Sequence, residues 1–407
     1  MSSLGLAAAA PILKEYYTAQ RVENMTYKDF PLYAMLPKDK NFYGKVLPLA
    51  IQIGNPQGRS AVFATAQANK TSSVYKDFVL TRVRDYSLAS VDNETAEASE
   101  NEKGAFIKAL TREIDSAIEA ATTSLAWGLY GDGSGSLATI SATGFLNTNA
   151  FFTLANPDDV VKFEIGQHIV FAAAASTGAL RVGGSLLISG VNRDSGLITV
   201  SSVLSGITAI AAGDYIFTEG DRNAKVSGLA AWLPFVAPTS GDSFFSVDRS
   251  VDVTRLAGLR FDATALSIEE GLVKGLTRCN REGGKPEVVM ANYTDWGNLE
   301  LALGSKVQYM VSQASGRADI GFEGIQVKTN KGVSNVIADP FCPINYMYGL
   351  TIKSWKLFSL KEPIRILDLD GNKVLRDSTS DSIELRVGGY FQLGCDAPGH
   401  NVVIKLA

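Results

Sequence analysis

Ser99-Glu-Asn-Glu-Lys-Gly-Ala-Phe-Ile-Lys-Ala-Leu-Thr-Arg-Glu-Ile-Asp-Ser-Ala-Ile-Glu-Ala-Ala-Thr-Thr-Ser-Leu-Ala-Trp-Gly-Leu-Tyr-Gly131 is the stretch that organises this chain. Its apolar residues Ile107, Leu110, Ile114, Ile118, Ala121 and Leu125 recur at steps of three and four, the period of a helix with one buried face. Lys108, Arg112, Asp115, Glu119 and Thr122 fall on the other side. Ser99 and Glu102 have the spacing of a capping box, which satisfies free N–H groups at a helix start. Alanines at 105, 109, 117, 120, 121 and 126 lower the entropic cost of staying helical. Gly131 and the glycine-serine run after it end the pattern. At 1.5 Å per residue the helix is about 45 Å long, well above the three-turn average. No other segment carries so long an amphipathic pattern, so it reads as a spine.

Composition bounds the rest. The 407 residues are 46% hydrophobic and 20% charged, an ordinary globular balance. A net charge of −4 advertises no tight, sequence-independent hold on nucleic acid. The three cysteines, Cys279, Cys342 and Cys395, are far apart and odd in number, which argues against a disulfide framework and for a reducing compartment. No apolar run approaches the ~18 residues of a membrane helix, and the N-terminus lacks a basic leader. Synthesis in a cytoplasm is expected.

Working outward, residues 1–45 hold a possible short helix at Leu13–Met25 and the proline-broken Phe30–Pro37, with no core of their own. Residues 46–91 alternate like strands at Lys45–Ile53, Ser60–Ala64 and Phe78–Tyr86, around a polar stretch that includes Asn55, Pro56, Gln57, Gly58 and Arg59. A long hairpin with that tip fits, and two strands alone cannot bury enough to be stable. The spine segment is 92–133. Residues 134–230 read as a compact all-β insert, with a hairpin at Ser185–Val200 and a short echo between Gly166–Phe171 and Gly213–Phe217. Residues 231–340 are mixed: a helix over Thr264–Arg278, a buried strand Pro286–Met290, then a helix capped by Asn292 that packs through Trp296 and Leu299. Residues 341–407 are closing strands. The class is α+β.

Chemistry is thinly supplied. Of the two histidines, His168 sits where the echo has Tyr215, which suggests aromatic packing. Cys395 and His400 make half a metal site with no second half. Asp368–Asn372 starts like a calcium loop, but its glycine is one position early and Thr379 stands where a glutamate is needed, so a hairpin turn is the better reading. Gly131–Ser136 is a linker, since it follows a helix and lacks the lysine of a phosphate loop. Glu94, Glu97, Glu100 and Glu102 suit a helix start. No catalytic, cofactor or metal residues are assigned.

The order of these segments resembles the Hong Kong 97-type major capsid proteins of tailed phages. The resemblance is carried by Phe78–Tyr86 leading into the spine, and by Pro286–Met290 followed by Asn292 and Trp296. Gly324–Val327 through Val336–Pro340 with Trp355–Leu357, and Asp381–Arg386 with Tyr390–Leu393, continue it. These stretches cover about three quarters of the chain, and the likeness lies in their order. It implies an N-terminal arm (1–45), an extended loop (46–91), a spine helix (92–133), an axial domain (231–340) and closing strands (341–407), with a β-insertion domain (134–230) beyond the minimal fold.

The resemblance further implies pentamers and hexamers in an icosahedral shell around double-stranded DNA, with the DNA contacted weakly and non-specifically. A portal, a decoration protein and a separate scaffold are the other partners it suggests, with no membrane. The protein would be made in the host cytoplasm and reside in the virion. No fused N-terminal scaffold or cleavage is indicated. An encapsulin shares the fold but should lack the long arm and so large an insert. A β-rich adhesin or tail protein would not need the spine, and a hydrolase would need a nucleophile–base pair.

Overall fold

The computed structural model describes residues 30–92, 103–304, 325–368, 371, 374–376 and 382–407. The expected helix at Leu13–Met25, the cap at Ser99 and Glu102, and most of the turn at Asp368–Asn372 lie outside them. In chain order the elements begin with α1 (Pro31–Met35), β1 (Lys38–Asp39), β2 (Val46–Gly54), α2 (Phe63–Ala68), β3 (Val74–Thr81), β4 (Val83–Asp92) and α3 (Lys103–Gly128). Six strands follow: β5 (Ser136–Thr139), β6 (Phe151–Thr153), β7 (His168–Ala172), β8 (Leu186–Asn192), β9 (Leu197–Val200) and β10 (Tyr215–Thr218). Then come α4 (Leu229–Trp232), β11 (Ser243–Phe244), β12 (Val247–Asp248), α5 (Val253–Ala257), β13 (Leu259–Asp262), α6 (Ile268–Arg281), β14 (Val288–Ala291) and α7 (Tyr293–Gly304). The last are β15 (Ile325–Thr329), β16 (Gly332–Ala338), β17 (Tyr346–Leu350), β18 (Trp355–Ser359), β19 (Arg365–Ile366), β20 (Val374–Arg376), β21 (Ser382–Cys395) and β22 (Val402–Lys405).

The chain divides into two compact units. One contains the described residues of 30–42, 82–226 and 357–392; the other contains those of 43–81, 227–356 and 393–407.

In the first unit α3 runs 26 residues, about 39 Å. Ile114, Ile118, Ala121 and Leu125 are all buried, while Glu119 is exposed. Ile107 and Leu110 lie within α3, ahead of the part whose side chains are described. Thr122, expected on the polar side, is buried instead, and its hydroxyl donates to the Ile118 carbonyl at 2.7 Å. That internal bond is what lets a threonine turn inward. α3 packs on β4, which forms a continuous antiparallel ladder with β21 from Val83 opposite Phe391 to Asp92 opposite Ser382.

This ladder corrects the sequence reading of Phe78–Tyr86 as one strand within a hairpin extending to residue 91. The chain breaks at Arg82. β3 ends the hairpin at Thr81, and β4 enters a different sheet, with β1, β18, β19, β20 and β21. The Arg82 guanidinium is held by the Phe42 carbonyl and lies 5.0 Å from the Phe42 ring. The residues before it are also less dependent than their composition suggests: Leu32, Tyr33, Leu36 and Phe42 are buried.

Residues 136–218 form a closed barrel. The strand order is β5-β10-β7-β8-β9-β6, and the last strand returns to the first through the Ile140–Leu154 bridge. There Ser141 N–H donates to Thr153 O at 2.8 Å, and Ala155 N–H donates to Thr139 O at 2.9 Å. Closure leaves no unpaired edge, so short strands suffice. Ile140, Phe152, Phe171, Ile188, Ile198 and Ile216 are among the side chains buried within this segment. The two strands of the sequence echo, β7 and β10, are direct neighbours in it. His168 is not the packing residue that the echo suggested: its side chain is 56% exposed and stands 3.9 Å from Glu219. At the barrel's entry Gly135 has φ +77°, and a Cβ there would meet the Asp221 carbonyl at 2.4 Å. Only glycine fits so close an approach.

The barrel's exit is tied back by Lys225. Its ammonium reaches Asp85 Oδ1 on β4 at 3.0 Å, Ser124 Oγ on α3 at 2.7 Å and Asp221 Oδ2 at 3.0 Å, with the Trp127 ring 5.7 Å away. Ser124 in turn donates to Asp85 Oδ2 at 2.7 Å. Burial pushes the Asp221 carboxyl up, against the pull of Lys225.

The second unit is built on a six-stranded mixed sheet, β13-β22-β17-β14-β16-β15, with α6 and α7 packed on it. Leu272, Leu276, Val289, Met347, Val402 and Ile404 lie in its core. Asn292 caps α7, its Oδ1 accepting the Thr294 N–H at 2.9 Å. Leu299 is buried in this core and Trp296 packs against it, partly buried.

Two outcomes follow. Ile114→Ala should cost about 2–4 kcal/mol in chemical denaturation, as truncation of a fully buried side chain. Lys225→Ala, which strands two carboxylates around an empty site, should cost about 3–5 kcal/mol in the same measurement.

Candidate assembly interface

β2 and β3 pair only with each other among the described strands, from Val46 opposite Thr81 to Gly54 opposite Val74. Alternation divides this ribbon into two faces. Ile51, Ile53, Phe78 and Leu80 are buried on one face, whereas Val46 and Tyr75 on the other are exposed. Toward the tip, α2 has no buried residue and Phe63 is 80% exposed. The expected strand at Ser60–Ala64 is therefore corrected: Phe63-Ala-Thr-Ala-Gln-Ala68 forms a helical turn, in keeping with the helix preference of its alanines.

Asn55–Arg59 occupy the loop between β2 and α2, where local bonds hold them. Gln52 Nε2 donates to Asn55 Oδ1 at 3.0 Å, and the Thr71 hydroxyl accepts the Gln57 N–H at 2.8 Å. Gly58 passes so near the returning chain that a Cβ would stand 2.6 Å from Lys70 Cα. Pro56 and Arg59 sit in the same loop, exposed to solvent. The tip is an ordered, uncovered structure.

The ribbon's root is fixed by aromatic packing that the sequence pattern did not single out. Phe78 lies 5.0 Å from the Trp232 ring and 6.2 Å from Phe244. Trp232 also meets Phe244 and Trp355 edge-on, and its indole N–H donates to Leu393 O at 3.1 Å. The β11–β12 hairpin turns at Phe245 and Ser246, with φ of 45° and 69°. Such turns usually take Asn-Gly, because positive φ is costly with a side chain. Here Phe245 offers its carbonyl to the Val79 N–H at 2.9 Å, so the unusual turn is itself part of the root. Arg255 binds the Ile53 carbonyl on the other strand. The available signal was the adjacent pair Phe244-Phe245, which follows Trp232 in the chain with no period linking them.

The described residues contain no group of three or more His, Cys, Asp or Glu that could hold a metal ion. Burial pushes the thiols of Cys279 and Cys395 up to about 12, and that of Cys342 well above the ordinary value. Among the described residues no helix is long and apolar enough to cross a membrane.

Among solved structures, the chain is similar to a protein of the cyanophage A-1(L) capsid asymmetric unit. The two are 14% identical with a TM-score of 0.57, over 93% of this chain and 92% of that one. The native GTA particle capsid matches at 7% identity and TM-score 0.47, over 94% and 90%. A Mycobacterium phage Ogopogo chain matches at 7% and 0.40, over 93% and 92%. The last two scores are too low to argue from. No protein-family model and no curated protein matches the chain. The first similarity spans nearly all of both chains, so the fold is that of a phage capsid subunit. That shared fold is a mixed α+β one with several sheets.

Proposed function

We propose that this chain is the major capsid protein of a tailed phage, self-assembling through pentamers and hexamers into an icosahedral shell around double-stranded DNA. The observation that supports this reading is the ribbon of β2, α2 and β3, which has an aromatic root and a tip whose apolar residues no described residue covers. In this reading residues 1–45 are the N-terminal arm and the ribbon is the extended loop lying across a neighbouring copy. Residues 231–340 form the axial domain, and 341–407 supply closing strands to the axial and peripheral parts. The barrel within 134–230 is an insertion domain projecting from the outer face of the shell. The subunit is made in the host cytoplasm and resides in the virion, beside a portal and, where the particle uses them, a separate scaffold and a decoration protein. No enzymatic role is assigned.

Electron microscopy of the expressed protein tests the assembly. Closed shells are expected, and deletion of Gly54–Ser73 should leave soluble capsomers or monomers. Normal shells from the deleted chain would remove the ribbon from the contact. In a map, density for the barrel inside the lumen would overturn its outward placement.

DNA contact should be weak, because a subunit of net charge −4 gains little from counterion release. Nanomolar binding of the purified subunit to duplex DNA at physiological salt would contradict this.

A further inference from the structure

The strand directions in the sheet of the second unit bring three turns to one of its ends: the return from α6 into β14, the β15–β16 turn at Asn330 and Lys331, and the entry into β22 at His400. Side chains tie these turns together. Asn280 Nδ2 donates to Asn330 Oδ1 at 2.7 Å, the Lys331 ammonium donates to Gly284 O at 3.4 Å, and the Thr351 hydroxyl donates to His400 O at 2.9 Å. Lys285 Nζ in turn lies 3.8 Å from where a Cβ on Gly332 would stand. Each of the two lysines therefore reaches over the turn that carries the other.

Five cations stand at this end: Arg278 and Arg281 in the last turn of α6, Lys285, Lys331, and Lys353 just beyond Thr351. Arg281 pairs with Glu282 at 2.7 Å. The other four are exposed, and none has a carboxylate within ion-pair distance among the described residues. Glu287, the other acid near these turns, is half-buried. Charges of one sign gathered in this way repel one another. The helix end does not account for them. The N–H groups of Glu282, Gly283 and Gly284 already meet the last carbonyls of α6 at 3.1–3.3 Å, and Lys285, Lys331 and Lys353 belong to the sheet's own connections.

We propose that this end of the sheet is a contact surface for the phosphate backbone of duplex DNA. Uncompensated cations select an anion as partner, and two features favour phosphate over a protein carboxylate. Three of the four unpaired cations are lysines, which act on phosphate as point charges, whereas the forked arginine is the better match for a carboxylate. An ammonium has three N–H donors, so Lys331 keeps two after its bond to Gly284. The cations are also spread over separate turns, which suits a polymer carrying a charge about every 1.7 Å of its axis. The contact is local and weak, in keeping with a subunit whose net charge is −4. It rests on the shell reading above, which supplies the DNA.

Fluorescence anisotropy of a short labelled duplex with the unassembled subunit, across a series of salt concentrations, tests this. The double variant Lys285→Gln, Lys331→Gln should bind about tenfold more weakly at low salt. Its plot of log affinity against log salt should be shallower by about two, since each lost phosphate contact removes about 0.9. Arg59→Gln with Lys70→Gln, at the ribbon's tip, changes the net charge equally and should leave the slope as it was. An equal fall in both pairs would reveal an effect of net charge alone and overturn the inference. So would a native slope in the sheet-end variant. Should Lys331→Gln lower the denaturation midpoint, Lys285→Gln is read alone, because the Lys285 ammonium has no bonding partner among the described residues. Its slope should then fall by about one. Inorganic phosphate that binds the native subunit while the duplex does not would overturn the DNA assignment in favour of a free oxyanion. A sheet-end variant that binds duplex normally, yet needs more protein to assemble, would show that this end meets an acidic surface of a second copy. Failure of the unmodified chain to form particles would count against the shell reading alone, since the duplex measurement uses the subunit.

Discussion

The ammonium of Lys225 is the point at which three parts of the first unit meet. It joins β4, which brings the chain in from the ribbon, α3, which runs the length of the spine, and the last turn of the barrel. One cation serves two carboxylates and a serine hydroxyl in surroundings that exclude most water, where electrostatic interactions are stronger and unpaired charges more costly. A barrel that closes on itself can fold without the spine, but it would then be a bead on two strings. The Lys225 cluster, together with the contact between Gly135 and the Asp221 carbonyl, fixes both its ends close to α3.

The second unit answers the same mechanical question for the ribbon. Two strands paired only with each other would wander. Phe78, Trp232, Phe244 and Trp355 pack into one aromatic group, and Phe245 accepts positive φ so that its carbonyl can meet Val79. Local strain of this kind persists only where surrounding contacts over-determine it. The root is thus rigid and the tip internally ordered, yet the apolar side chains of α2 stay in water. A lone subunit has no reason to hold such a shape. In the proposed shell a neighbouring copy would cover those side chains, and the apolar surface removed from water at that contact would offset the cost of displaying it.

Charge is distributed in keeping with that view. Several buried ionic groups are paired, as with Arg181 and Asp214 at 2.7 Å and Arg249 and Asp242 at 3.0 Å. Buried pairs fix geometry at a desolvation cost.

The sequence by itself determined the spine, the class of the fold and the β character of residues 136–218, because each depends on a local period. Ile114, Ile118, Ala121 and Leu125 repeat at helical spacing whatever surrounds them. Leu299 was legible for the same reason. What the tertiary structure alone decided was everything that pairs residues distant in the chain. At the break between β3 and β4, Arg82 is held by Phe42, forty residues earlier. Barrel closure depends on Ile140 finding Leu154, and the ribbon's root on Phe78 finding Trp232. His168 resembled a packing residue in its own strand and became a surface residue once β8 lay beside it. Periodicity reports which side of an element is apolar. It carries no information about which distant element covers that side, since burial rewards any apolar partner and only the packed chain specifies one.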